Sequence, residues 1–251
     1  MRKSLSISFE SKDRFRVEEK SKTQNTQLTK YEEMQKDNHE EYVWDQRQAW
    51  PSEEKAGDLV VRNLLKGGRG HYGPLEHPQI VLNCGLFPHS TMQQIRTHRV
   101  GLSFDVQSFR YTGSRILEVA SGKTDVEDVF YLRPVGAYTD RQGKKYEYTE
   151  PLRQEDLAWC IEGAKRYQAR IEQGFSEEHA RGLIPFDVRQ HWVLSANVRS
   201  LMHLLDLRWK ADAQLEAQKL CEAIWPQFKQ WVPSVAQWYE DTRLKKARLS
   251  P

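Results

Sequence analysis

The amino-acid sequence predicts an α+β fold, with strands concentrated in its first half and helices in its second. Three observations favour this class: strand candidates precede a largely helical half, strands and helices do not alternate as in βαβ units, and no internal repeat is visible. With 251 residues, the chain is long enough for one large domain or two small ones.

The elements predicted in the first half are, in order, a helix, a strand, a helix, two strands and a turn: residues 58–66, 79–87, 90–98, 114–120, 129–132 and 140–143. Gly67 and Gly68 are suited to end the first helix, because glycine readily adopts the left-handed conformation found after helix C-termini. The apolar run that follows is typical of a strand. Ser90 is a suitable N-cap for a helix that continues through His98.

The second half is predicted to contain a short helix capped by Ser176 and four longer helices: residues 157–171, 190–207, 211–228 and 234–239. Apolar residues at intervals of three and four positions predict the longer helices, because that spacing places them on one helix face. Gly174 is suited to end the first of them.

Composition divides the chain into three segments. Residues 1–43 are polar, rich in lysine and glutamate and without sustained periodicity, which predicts a flexible or partly helical extension. Residues 44–240 have the composition of a globular domain, and residues 241–251 form a basic tail. No apolar run approaches the ~18 residues of a membrane span, so we expect no membrane association.

The three cysteines, Cys84, Cys160 and Cys221, are widely separated and form no CxxC pair. Their odd number and spacing argue against a disulfide framework or a metal site, and favour a reducing, cytoplasmic location. The net charge of +3 is too balanced for a protein that coats nucleic acid or binds membrane surfaces by charge. Any affinity for anions must therefore come from a local cluster.

Residues 96–111 form such a cluster, with three arginines, one histidine, two serines and a glutamine among 16 residues. Arginine is always charged and offers five donors in a fixed geometry, which suits carboxylates and phosphates. The pattern predicts a pocket for an anionic ligand, with His98 and Arg99 at the end of a helix and Ser108 and Arg110 in the segment that follows. A solvated basic surface is the alternative.

A second polar cluster, residues 197–208, occupies a segment otherwise rich in leucine. On one helix, Asn197 and Arg208 lie about three turns apart at nearly the same azimuth, and both need polar partners if they are buried. The alternatives are a buried ion pair of Arg208 with Asp206 or another carboxylate, and a core position for His203 that binds no ligand.

Together these segments resemble the flavin-dependent thymidylate synthase family. The family motif is Arg-His-Arg, seven residues and Ser, usually continued to Arg-Tyr; here His98-Arg99 is followed by Ser108 and by Arg110-Tyr111. The later family pattern Asn-x-Arg-Ser-Leu-…-Leu-Arg matches residues 197–208, and Arg181 precedes the expected Leu-Ile-Pro.

The chain departs from the family pattern at three points. Thr97 replaces the first motif arginine, with Arg96 one position earlier. The spacer between Arg99 and Ser108 has eight residues instead of seven, and Val106 replaces an acidic residue beside Asp105.

The resemblance implies a central, mainly antiparallel sheet with long helices, and a catalytic domain at residues 44–240. It also implies a cytoplasmic homotetramer with active sites shared between subunits, which methylates dUMP with methylenetetrahydrofolate as carbon donor and NADPH as reductant through bound FAD. The residues it implies at dUMP are Gln94, Ser108, Arg110, Arg181 and Arg208, with Arg208 as the catalytic residue. The residues it implies at FAD are His71, His98, Arg99, Asn197 and His203; no metal is implied.

Three alternatives remain open at this point. Arg96, Arg99 and Arg110, interleaved with aromatic residues, are compatible with a nucleic-acid-binding module. The same pocket also suits a flavoprotein that acts on a different nucleotide, or a structural oligomer that has lost activity through the change at Thr97.

Overall fold

The structure, a computed structural model, describes residues 16–23, 53–140 and 142–246. The strands β1 to β6 are Arg16–Thr23, Gln79–Pro88, Leu102–Val106, Gly136–Thr139, Lys145–Tyr148 and Arg189–Asn197. The helices α1 to α10 are Glu53–Val60, His89–Ile95, Phe109–Thr112, Ser114–Ala120, Val126–Val129, Glu150–Glu172, Glu177–Ala180, Val198–Arg208, Leu215–Trp231 and Pro233–Thr242. Single helical turns occupy Val61–Leu65, Lys66–Gly68, Gly73–Glu76 and Arg181–Leu183. No helix in these described ranges is long and apolar enough to cross a membrane.

The central sheet has four strands in the order β1-β2-β6-β3, and every pairing in it is antiparallel. β2 and β6 alternate buried and partly exposed residues, because successive side chains of a strand point to opposite faces. β4 and β5 form a separate hairpin. This architecture confirms the predicted α+β class with a mainly antiparallel sheet.

The edge strand β1 lies within the segment predicted to be a flexible or partly helical extension. That prediction is wrong for Arg16–Thr23, which pairs with β2 from Gln79 to Gly85. Backbone pairing with an existing sheet edge needs no apolar periodicity in the added strand, so the polar composition gave no sign of it. The rest of residues 1–43, apart from this strand, and the end of the chain lie outside the described residues, and the division at residues 43 and 240 stays a prediction.

Two hydrophobic clusters form the interior. The larger contains buried residues of β2, β6, α8, α9 and α10, including Leu82, Trp192 and Phe228. The smaller lies between α4 and α6 and contains Ile116 and Tyr167. Most of the site residues predicted from the sequence lie on, or directly after, helices that contribute residues to these two clusters.

Several element predictions are confirmed. The structure contains the strand predicted at 79–87, the long helix that ends before Gly174, and the short helix capped by Ser176, whose hydroxyl accepts from the backbone N of His179. The helix predicted at 58–66 begins earlier, at Glu53, and continues as irregular turns to Gly68.

Other element predictions are wrong. The helix predicted at 190–207 is a strand up to Asn197 and a helix only from Val198. Residues 114–120, predicted as a strand, form helix α4, and residues 129–132 contribute only an isolated bridge between Phe130 and Val188. A short apolar run fits both the period of a strand and that of a helix, so packing against neighbouring elements decides which of the two it forms.

Helix α2 begins differently from the prediction. Ser90 lies inside the helix, where its backbone N donates to Asp187 Oδ1 at 3.0 Å. A carboxylate from 97 residues away therefore satisfies the free N–H at this helix end. The helix ends at Ile95, so His98 lies in the turn that follows and not on the helix.

Candidate functional site

Two histidines and an arginine meet where the turn after α2 passes the end of α8. Arg208 donates from Nε to His98 Nε2 at 2.9 Å. The rings of His98 and His203 lie edge to face, with centroids 5.5 Å apart and planes inclined by 71°. Three residues that the sequence assigned to separate flavin and nucleotide contacts are thus neighbours in the structure.

The hydrogen bond fixes the protonation state of His98. Because Arg208 is the donor, His98 Nε2 must accept, so the imidazole is neutral. Burial, followed by the positive charge of Arg208 and the neighbouring His203, lowers the pKa of His98 to about 4. Burial also lowers the pKa of Arg208 and that of His203, although the Asp206 carboxylate opposes the shift at His203.

Asp206 pairs with residues other than Arg208. The predicted alternative of an Arg208–Asp206 ion pair is wrong, because the Asp206 carboxylate accepts from Arg243 Nη2 at 2.6 Å and from the Tyr239 hydroxyl at 2.9 Å. Both partners belong to α10 or the residue after it, so this buried cluster holds α10 against α8. No ion pair to Arg208 is present in the described parts of the chain, which leaves its guanidinium free of a carboxylate.

Asn197 joins β6 to α8 at a crowded point. Its side-chain Oδ1 accepts from the backbone N of Ser200 at 2.8 Å and so caps α8. The Gly101 carbonyl accepts from the Asn197 backbone N at 3.3 Å. Gly101 has a φ of +65°, and a Cβ there would overlap the Asn197 amide and the Ser200 hydroxyl. The turn that carries His98 is therefore held directly over the start of α8.

Gln94 on α2 has an unusual side-chain oxygen. Its Oε1 is enclosed and has no hydrogen-bond partner among the described residues. Thr97, which replaces the family arginine, donates its hydroxyl to the Gln94 backbone carbonyl at 2.8 Å. An enclosed acceptor without a donor is costly, and this one belongs to a residue that the family resemblance implies at dUMP.

A second group of predicted residues surrounds α7. Ser108 caps α3, with its hydroxyl accepting from the Arg110 backbone N at 3.4 Å. Arg110 Nη1 lies 3.1 Å from Glu178 Oε1 in α7, and the two side chains are 49% and 47% exposed. Arg181 follows α7 directly, is exposed and has no ion pair within the described ranges. The structure thus brings Arg110 and Arg181 to the two ends of one short helix.

Two predicted residues lie at the surface. Arg99 is exposed in the turn before β3. His71 is exposed in the loop between two helical turns, and its backbone N donates to the Leu64 carbonyl at 3.2 Å. Both side chains are therefore open to solvent in the single chain.

Metal and thiol chemistry find no support in the described residues. Among residues 53–140 and 142–246, no three His, Cys, Asp or Glu side chains are grouped as metal ligands. The thiols of Cys84, Cys160 and Cys221 are free and buried. Burial raises the pKa of Cys160 to about 12 and also raises the pKa of the other two thiols, so none is poised as a thiolate nucleophile.

The sequence reasoning missed two residues with strong structural signals. Gly101 was not singled out, although its contacts with Asn197 and Ser200 fix the His98 turn. Arg115 was read as part of a strand, but it lies on α4 with its Nε enclosed and unpartnered. The extra residue in the spacer between Arg99 and Ser108, which contains Gly101, was a sign of special geometry there. No pattern in the sequence pointed to Arg115.

Comparison with known proteins supports the resemblance over most of the chain. The sequence model of the family described as thymidylate synthase complementing protein matches residues 16–234. A Halobacterium salinarum protein named flavin-dependent thymidylate synthase is 34% identical over 207 residues, covering 80% of this chain and 82% of that protein. A Haloarcula marismortui protein of the same name is 29% identical over 210 residues, covering 79% and 81%.

Two solved structures have the same fold at low sequence identity. Thymidylate synthase X from Helicobacter pylori, crystallised with FAD and dUMP, is 18% identical with a TM-score of 0.60, covering 88% of this chain and 98% of that chain. The UMP/dUMP methylase PolB from Streptomyces cacaoi, bound with 5-Br UMP, is also 18% identical, with a TM-score of 0.62 and coverage of 94% and 96%. Both likenesses agree with the predicted fold.

Proposed function

Because this chain belongs to the flavin-dependent thymidylate synthase family, we propose that it methylates dUMP at C5 to form dTMP, with FAD as its cofactor. The observation that carries the proposal is the contact between Arg208 and a neutral His98. It joins a guanidinium without a carboxylate partner, matched to the nucleotide site of the family, to a histidine matched to the flavin site.

The proposed reaction takes its carbon from methylenetetrahydrofolate and its reducing equivalents from NADPH. The methylene group replaces the C5 proton of dUMP, and a hydride originating from NADPH completes the methyl group, which leaves tetrahydrofolate and NADP⁺. Bound FAD supplies the hydride chemistry in such a reaction, while the protein binds, orients and polarises.

Arg208 is the proposed catalytic residue. Negative charge develops on the pyrimidine as C5 becomes nucleophilic, and a fixed donor aimed at a carbonyl oxygen stabilises that charge. His98 holds Arg208 through Nε, which leaves the Nη groups available to the pyrimidine. A neutral imidazole is the right partner, because a carboxylate would neutralise the guanidinium charge.

The other nucleotide contacts follow from donor and acceptor chemistry. Gln94, which the family resemblance implies at dUMP, carries an amide that can pair with the N–H and carbonyl groups of a uracil ring. Arg110 and Arg181, at the two ends of α7, are suited to hold the phosphate through charge-assisted hydrogen bonds. We assign Ser108 to binding, because the structure shows its hydroxyl capping α3.

The chain's residues also fit a flavin. The neutral His98, the adjacent His203 and Asn197 offer hydrogen bonds, and Arg99 offers an exposed charge for a pyrophosphate group. We propose that Arg99 and His71 reach FAD across the interfaces of a cytoplasmic homotetramer, since both are exposed in the single chain.

Turnover tests the proposal directly. The purified full-length protein, supplied with FAD, NADPH and methylenetetrahydrofolate, should convert dUMP to dTMP, detected by mass spectrometry. Arg208→Ala should lower kcat by about 100- to 1,000-fold, as expected for the loss of one charge-stabilising donor, whereas Ser108→Ala should retain weak turnover. Arg166→Ala, an exposed arginine paired with Glu162 on α6, is the matched control and should behave as the unaltered enzyme.

Two results would count against these assignments. Absence of dTMP, together with salt-dependent binding of nucleic acid and no bound chromophore, would favour the nucleic-acid-binding alternative. Methylation of UMP in preference to dUMP would favour action on a different nucleotide. A Ser108→Ala enzyme that binds dUMP but is inactive would show that the serine takes part in the reaction.

A further inference from the structure

Arg115 is a charged side chain whose role is unexplained. It lies near the start of α4, its Nε is sealed from solvent, and that nitrogen has no hydrogen-bond partner. No carboxylate pairs with it in the described residues. Burial lowers its pKa to about 10, as expected for a charge that is partly removed from water. A desolvated, unpaired cation is costly, so its presence needs a reason.

The position of Arg115 gives that reason. Its guanidinium carbon lies 5.4 Å from the centre of the Phe109 ring, and Phe109 stands between Ser108 and Arg110 in the chain. The corner between α3 and α4 is firmly held, because a Cβ on Gly113 would overlap the Tyr167 hydroxyl of α6. Arg115 is thus held against Phe109, the residue between the two motif residues expected at the nucleotide phosphate.

The phosphate site needs a further cation of this kind. Arg110 is shared with Glu178, and both side chains are about half exposed, so this pair contributes little on its own in water. A phosphate monoester carries a charge of about −1.5 to −2 and has three acceptor oxygens. Of the two arginines already assigned to the phosphate, Arg110 is shared with Glu178 and Arg181 has no carboxylate partner among the described residues, so one further unpaired guanidinium brings the charge of the site closer to that of the monoester.

We propose that Arg115 is an additional ligand of the substrate's 5′-phosphate, acting beside Ser108 and Arg110. This inference rests on the proposed function and adds a residue that the motif does not contain. The stacking of Arg115 on Phe109 holds the guanidinium in place before the substrate arrives, so little side-chain freedom is lost on binding.

The test compares nucleotides with and without a phosphate. Binding of dUMP and of deoxyuridine is measured by calorimetry on the flavin-loaded, full-length protein for the unaltered chain, Arg115→Met, Arg115→Lys and the surface control Arg166→Met. Arg115→Met should weaken dUMP binding by about 10- to 100-fold, as expected for a hydrogen bond between charged groups, and should leave deoxyuridine binding unchanged. Arg115→Lys should recover part of the loss, because lysine restores the positive charge but not the planar, bidentate donor geometry of a guanidinium.

Folding is not expected to limit the test. Methionine fills similar space without a desolvated charge, so the thermal midpoint of Arg115→Met without ligand should match or exceed that of the unaltered chain. Equal losses for dUMP and deoxyuridine, or none for either, would overturn the inference while leaving the proposed function intact. A smaller assembly in light scattering, with an unchanged preference for dUMP, would assign Arg115 to a subunit interface and also overturn it. Failure of the unaltered chain to bind dUMP would refute the proposed function itself.

Discussion

Replacing His98 with glutamine should make the protein less sensitive to mild acid. The pKa of His98 is about 4 in the folded protein, against about 6.5 in an unfolded chain. Between these values the unfolded state binds more protons than the folded state, so the free energy of unfolding rises with pH. His98 therefore destabilises the fold as the pH falls from 6.5 towards 4. Glutamine still accepts a hydrogen bond from Arg208 but does not titrate.

The size of the effect follows from the two pKa values. Linkage gives a loss of about 2 kcal/mol at pH 5 and about 0.2 kcal/mol at pH 7 from this one group. Urea unfolding at both pH values, at one fixed protein concentration, should therefore show that the unaltered chain loses about 2 kcal/mol more than His98→Gln.

A control separates this effect from the loss of any imidazole. His77 is exposed and lies outside the His98 cluster, so His77→Gln reports what a histidine substitution does elsewhere on the protein. Equal losses between pH 7 and pH 5 for the unaltered chain and His98→Gln would refute the neutral, buried state of His98. The proposed role of His98 as an acceptor for Arg208 would then fail with it.

Two further substitutions test the supports of the site. Gly101→Ala forces a side chain against Asn197 and Ser200 at a positive φ and should cost about 1–2 kcal/mol of stability; a thermal midpoint equal to that of the unaltered chain would contradict this packing. Asp206→Leu removes the carboxylate that pairs with the buried Arg243 charge and should cost about 3–5 kcal/mol in urea unfolding, most of which the double variant with Arg243→Met should restore. A double variant as unstable as the single one would show that the charge pair is not the cause.

The sequence singled out residues that meet in the structure, although it misassigned some of the elements that carry them. Motif spacing identified His98, Asn197 and Arg208, and the structure brings the first and last into contact across 110 residues. Amide and guanidinium groups in an apolar segment indicate buried polar chemistry whatever element carries them, so the error over residues 190–197 did not change which residues were singled out.

The errors have a common physical origin. In β6, Trp192, Leu194 and Ala196 are buried at intervals of two, which is the period of a strand, yet leucines farther along the chain favoured a helix. In α4, Ile116 and Val119 are buried at an interval of three, within a run too short to distinguish the two periods. Tertiary packing decides such segments.

Long-range partners were beyond the reach of the sequence. Arg243 was assigned to a basic tail, but it is buried and pairs with Asp206. Asp187 accepts a hydrogen bond from the backbone N of Ser90 at the start of α2, although the two residues lie 97 positions apart in the chain. Neither spacing nor composition specifies which carboxylate meets which donor, because these contacts depend on how complete elements pack.

The central claim is that Arg208 and its neighbours hold a uracil ring against a flavin. The most direct measurement is a titration of dUMP into the flavin-loaded protein, followed by the visible absorption of the flavin, with Arg208→Ala as the comparison. We predict a saturable change in the flavin spectrum for the unaltered chain and a much weaker response for the variant. A protein that binds no flavin, or one that binds dUMP without any change in the flavin spectrum, would contradict the account.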